Sequence, residues 1–458
     1  MRYRSMTDVL ARSFRLCFGC VLVMGLAMTG CDSNGGGMSE NPESKTITGR
    51  VTTDGSSGSG TASATPSKTA RDGVEGAMVT AVSVGADGMT RALEGEATTN
   101  ADGEFTITVE GENISNVVRL NAQGEGDFSS SVIVMTGGQR QVQAQPMTAE
   151  TAAEADVYVE AKAEDEASSH EKGVTAADVA MYVNADAAAD LNAGATQASK
   201  VAAAIASTVR AETQMNAEAE GAASADAVAD TKANLYADLQ SGLATASSTR
   251  SRAEVMTTFE DGMANLYVEA GGTAESQARS RQAGTSVMIE VSGTVSSDAA
   301  LGLRKQAELL RAEATARVEE AIFEAEGASN STINALVQAR QQLKTDLRTA
   351  ASIDAVADAK TTYEASVKSQ MESTFGVSAA TIAVAETEIE GSLEALFTAL
   401  ANIGGTLDGA AGAAVSAYNT FYSSAQASAK TSFEATTSAS TAEAAAKALL
   451  YVSAHGHS

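Results

Sequence analysis

The 458-residue chain contains no tryptophan, and aromatic residues make up only 4% of it. Its cores must therefore be assembled from Ala, Val, Leu and Ile, which bury less area per side chain than aromatics do. Cysteine occurs three times, as Cys17, Cys20 and Cys31. No disulfide framework or thiol nucleophile can serve the rest of the chain. Histidine also occurs three times, as His170, His455 and His457, and no Cys or acidic ligand is spaced to complete a metal site with the terminal pair. Basic residues number 31 against 58 acidic ones, a net charge of −27. That balance excludes nucleic acid as a partner, because phosphate binding needs a basic surface. It instead concentrates cations around a soluble, acidic surface. Proline is confined to Pro42, Pro66 and Pro146, so nothing beyond residue 146 carries this strongest interruption of helices. No P-loop, no G-x-S-x-G elbow and no strand-borne G-x-G-x-x-G is present, and the expectation is a chain with no catalytic residues and no cofactor.

Against these absences, the amino terminus is rich in signal. Arg2, Arg4, Arg12 and Arg15 face a single Asp8, and the run "LCFGCVLVMGLAM" over 16–28 is uncharged. Thirteen helical residues span about 20 Å, short of the roughly 30 Å hydrocarbon core of a bilayer, so the run reads as a signal peptide over 1–30. The small residues Thr29 and Gly30 precede Cys31. Met28-Thr29-Gly30-Cys31 resembles the lipobox of bacterial lipoproteins. The resemblance implies cleavage before Cys31, diacylation of its thiol and acylation of the new amino terminus. Two or more acyl chains give stable anchoring. Cys31 would then be a lipidation site, membrane lipid the partner, and the cell envelope the address, at the outer membrane and facing the periplasm or the exterior. The alternative is an ordinary secretory signal with an incidental cysteine.

Residues 31–45 are polar and Gly-rich, and read as a flexible linker. Over 46–146 the pattern turns to short alternating strands: "TITGRVTT", "AMVTAVSV", and "EFTITV" with Phe105, Ile107 and Val109 on one face. Asp102-Gly103 marks a turn, and 54–73 a Gly/Ser/Thr-rich loop. Six or seven strands in about 100 residues predict a small β-sandwich. The residues Gly49, Val51, Gly76, Ala77, Val79, Thr99, Asp102, Gly103 and Phe105 give this stretch a pattern similar to the carboxypeptidase regulatory-like domain, a prealbumin-like sandwich. The resemblance implies an accessory module of secreted or surface proteins, with no peptidase activity of its own.

From about residue 149 the period becomes helical. Leu303, Ala307, Leu310, Ala314, Val318, Ala321 and Ala325 form one stripe; Leu336, Ala339, Leu343, Leu347 and Ala350 form another. Glu313 and Arg317 are expected to pair on the outer side. Thr175/Asp178, Ser251/Glu254 and Ser440/Glu443 have capping-box spacing. "SADAVADTK" (224–232) returns as "SIDAVADAK" (352–360). The reading is multidomain β plus α: the sandwich, a helical region over 149–270, a Gly/Ser-rich connection over 271–297 and a second helical region over 298–454, each an Ala-rich bundle. The expected function is a non-enzymatic, lipid-anchored envelope protein serving as a structural spacer or interaction surface for an envelope protein or glycan partner. The alternative is an extracellular carbohydrate- or ligand-binding module on the same anchor.

Overall fold

The computed structural model describes residues 43–52, 73–111, 114–125, 128–137, 139–166, 173–183, 187–188, 191, 195–220, 224–293, 295, 297–403 and 407–456. The signal peptide, Cys31, nearly all of the 54–73 loop, His170 and His457 lie outside these residues. The chain from Pro42 to Ser458 forms one unit in which the helices pack against the sheet.

Seven strands, β1 (Glu43–Arg50), β2 (Met78–Val84), β3 (Thr90–Thr98), β4 (Glu104–Gly111), β5 (Val117–Gln123), β6 (Ser129–Met135) and β7 (Gln141–Gln143), form one curled sheet ordered β6-β5-β2-β3-β4-β1-β7. Neighbours are antiparallel except β1 and β7. The first strand begins three residues earlier than its sequence pattern indicates, and Lys45 is buried with its ammonium on Thr136 Oγ1 at 2.7 Å. Alternation on β4 is as expected: Phe105, Ile107 and Val109 are buried while Thr106, Thr108 and Glu110 are exposed. They share an apolar interior with Ile47, Val79, Leu120, Val132 and Val134. At the turn into β4, Asn100 Oδ1 accepts from the Asp102 and Glu104 amides at 3.0 and 2.9 Å. Gly103 there has φ +75°, and a Cβ on it would lie 2.3 Å from the Val51 carbonyl, so only glycine fits.

Thirteen helical segments follow among the described residues: α1 (Ala149–Glu166), α2 (Ala176–Tyr182), α3 (Ala195–Glu220), α4 (Ser224–Thr245), α5 (Thr249–Ala264), α6 (Leu266–Glu269), α7 (Ala274–Ser292), α8 (Ser297–Ala325), α9 (Asn330–Thr349), α10 (Ile353–Phe375), α11 (Ala379–Ala401), α12 (Leu407–Glu434) and α13 (Ala439–Gly456). Helix α1 lies over β6, and Val117, Ile133 and Met135 on the sheet's outer face join a core with α1 to α5, α7 and α8. A second helical core gathers α7 to α13 with residues of α3. The sheet's two edge strands, β6 and β7, are both held by α4. Gln240 Oε1 accepts from the Met135 amide at 3.0 Å, and its Nε2 donates to the Gln143 carbonyl at 3.2 Å. Tyr236 donates to the Ile133 carbonyl at 3.1 Å. One helix thus satisfies backbone groups that edge strands leave open.

Several expectations are corrected. The stretch 271–297, read as a connection, holds α7, whose Ser280, Arg281, Gln282, Ala283, Gly284 and Thr285 are all buried. Its small residues let α3 and α7 approach closely: a Cβ on Gly284 would lie 2.4 Å from Glu212 Cγ. Composition suggested a linker; physically, the absence of bulk is what admits the helix to the interior. Helix α8 is buried on every side from Ala307 to Ala316. Its stripe is therefore apolar core from Leu303 to Val318, while Ala321 and Ala325 are exposed. The Glu313–Arg317 pair forms at 3.1 Å, with Glu313 buried and only Arg317 reaching solvent. The Thr175/Asp178 capping box forms. The other two start one turn or two residues earlier, on Ser248 with Ser251 and on Ser438, whose hydroxyl accepts from the Thr441 amide.

Candidate functional site

Beside the sheet lies a polar cleft of about 470 Å³. Its construction follows from strand register. On the outer face of β5 and β6, Arg119 opposes Ile133, Asn121 opposes Ser131 and Gln123 opposes Ser129. One half of this face is apolar and sealed by helices. The other half is polar and remains open, with α1 (Ala152, Asp156, Val159, Glu160) and Ala198 of α3 as the far wall. The sequence marks this switch only as the serine run that precedes Val132.

Arg119 is the centre of the cleft. Its Nε donates to Asn121 Oδ1 at 2.9 Å, and its Nη2 to Ser131 Oγ at 3.2 Å and to Asp156 Oδ1 at 2.6 Å. The pair with Asp156 is half-exposed, so its net stabilisation is small and its main effect is to fix the guanidinium in place. Glu160 on the same wall accepts from the Ser199 hydroxyl at 3.2 Å. Hydrogen-bond donors therefore stand on the sheet wall and carboxylates on the helix wall.

Charge is also buried deep among the helices. Asp178 meets Lys232 at 2.7 Å, and Glu212 meets Arg281 at 2.6 Å while accepting from the Tyr267 hydroxyl at 3.2 Å. In the distal core, Lys360 meets Glu308 at 3.1 Å, with Arg311 and His455 also beside Glu308. Burial opposes ionisation of Glu308, but Lys360 and Arg311 overcome it and hold the carboxyl down at about 2. Burial lowers Lys360 to about 8 against the pull of Glu308. Burial, with Arg311 next to it, keeps His455 neutral. His455 is fully buried in α13, contrary to its reading as a frayed terminal residue. Lys232 and Lys360 are the last residues of the two echoed nonapeptides. Both are buried and ion-paired with an acid on another helix. The echo therefore places a buried lysine about two turns into a helix, a role that its sequence did not reveal. These groups fasten helices to one another.

Among the described residues no three His, Cys, Asp or Glu side chains could hold a metal ion, and no helix is long and apolar enough to cross a membrane. Cys31, the one residue assigned a site from sequence, is not among the described residues. Searches against family models, curated proteins and solved structures found no match to this chain.

Proposed function

We propose that this is a non-enzymatic, lipid-anchored protein of the bacterial cell envelope, held at the outer membrane through acylated Cys31 and presenting its sheet and helices as a spacer or interaction body. The observation that carries the reading is Met28-Thr29-Gly30-Cys31 directly behind a short uncharged run. The acidic composition agrees with it, because a net charge of −27 keeps the body off anionic lipid and leaves the anchor as the attachment. On this reading the curled sheet is a prealbumin-like sandwich. Its alternating strands and an interior drawn from both halves of the strand order support that assignment.

The test is metabolic labelling with an alkyne fatty acid in a bacterial host. The wild-type chain is expected to incorporate label and partition with membranes. Cys31→Ala is expected to lose both label and membrane association. An unlabelled, freely soluble wild-type protein would overturn the proposal. Protease shaving of intact cells then separates display outside from residence in the periplasm.

A further inference from the structure

We infer that the cleft between the sheet and α1 is a binding site for a neutral polyhydroxylated ligand, the size of one or two sugar rings. The inference does not depend on lipid anchoring; it rests on the geometry of the cleft. Its volume of about 470 Å³ lies in the range of small-molecule sites.

Part of the hydrogen-bonding capacity of the lining is unspent. Among the described residues, Arg119 Nη1 and Asn121 Nδ2 donate to no protein group, and the Gln123 and Ser129 side chains make no hydrogen bond. The strand register sets Gln123 directly opposite Ser129 and Asn121 opposite Ser131, so these groups form a single polar strip. The strip lies on a sheet face that the adjoining helices seal with apolar contacts farther along. The open half of this face presents an array of donors and acceptors facing across to Asp156 and Glu160.

The charge arrangement narrows the ligand class. An anion reaching Arg119 would face Asp156 and Glu160. The guanidinium charge is already answered by Asp156 at 2.6 Å, so little is left for a carboxylate or phosphate. A simple cation would leave the donors of Arg119, Asn121 and Gln123 without partners. A hydroxyl group both donates and accepts. Neighbouring hydroxyls can take donors from the sheet wall and give protons to the carboxylates of the helix wall. The guanidinium is fixed beforehand by three hydrogen bonds, which lowers the ordering cost of binding. No aromatic ring is among the described residues that line the cleft. Binding should therefore be driven by hydrogen bonds, with favourable enthalpy and weak affinity.

The experiment uses the full chain in an amine-oxide detergent, because a maltoside headgroup would compete. Saturation-transfer NMR and calorimetry read binding of a panel of neutral mono- and disaccharides. Comparison panels contain uronic and sialic acids, free amino acids, polyamines and inorganic phosphate. Two variants are placed at exposed positions: Ser129→Trp fills the cleft, and Gln123→Ala removes one amide. Thermal unfolding checks that each is folded. Neutral sugars are expected to bind the wild type, to weaken about tenfold or more with Ser129→Trp, and to weaken measurably with Gln123→Ala. Sugar binding unchanged in both variants would place the ligand elsewhere and overturn the assignment. Tighter binding of a charged panel, or no binding by any neutral sugar, would overturn the ligand class.

Discussion

Glu319 on α8 is fully buried, and the Tyr363 hydroxyl donates to it at 2.5 Å. Burial pushes its carboxyl up to about 8; the Tyr363 hydroxyl pulls downward, and Glu320 and Glu364 add like charge. A folded pKa above the unfolded value means that the folded state holds a proton the unfolded chain releases. The contribution is intact below the unfolded value, near 4.5, and is lost as pH rises toward 8. Glu319→Gln mimics the protonated form. The variant is expected to gain on the wild type by about 1.4 kcal/mol per pH unit between roughly pH 5 and 8. Denaturant titrations at several pH values measure this, and a pH-independent difference would refute it. No sequence pattern flags Glu319, because an acid in a charged Ala-rich helix is read as a solvated one. The same blindness hid Lys232, Lys360 and Arg281. Each is buried, and removing its partner would leave an uncompensated charge costing about 3–5 kcal/mol.

Among the elements, the strands and long amphipathic helices were legible where one face is polar and the other apolar, as on β4 and α9. That contrast of faces is lost where an element is surrounded. Helix α7 has few large apolar residues, and its Gly284 and serines resemble a linker, yet they allow it to pack closely against α3. The cleft was illegible for a related reason. Its residues come from β5, β6, α1 and α3, and only strand register shows that Gln123 and Ser129 face each other. Helix α4 offers the clearest test at this scale. Gln240→Leu keeps helix propensity and side-chain size but removes both hydrogen bonds to the sheet edges. Leaving the Met135 amide and Gln143 carbonyl unpaired in a part-buried place costs about 1–3 kcal/mol for each group. The expected result is a fall in denaturation midpoint and faster hydrogen exchange at the Met135 amide. An unchanged Met135 exchange rate would refute the clamp.

From Pro42 onward the contacts form one compact unit, in which the sheet's outer face supplies Val117, Ile133 and Met135 to a helical core. The composition shift after Pro146 separates strands from helices, and the contacts run across it. A fragment ending at residue 148 is therefore expected to lack a cooperative unfolding transition and to aggregate, because it exposes that apolar strip and both strand edges. Circular dichroism and sedimentation of the fragment test this; a soluble fragment with its own sharp melt would show an autonomous domain.

The clamp by Gln240 also sets an order of events. The last strand ends at Gln143, but the two edge contacts that close the sheet join residues 105 and 97 positions apart. Whichever way the chain is delivered to the place where it folds, the edge strands arrive well ahead of the residue that covers them. Until α4 docks, β6 and β7 are open templates for pairing with another chain. The folding chain's exposure to misassembly is thus built into its topology, and a holding factor that binds extended strands would act in that interval, before α4 docks.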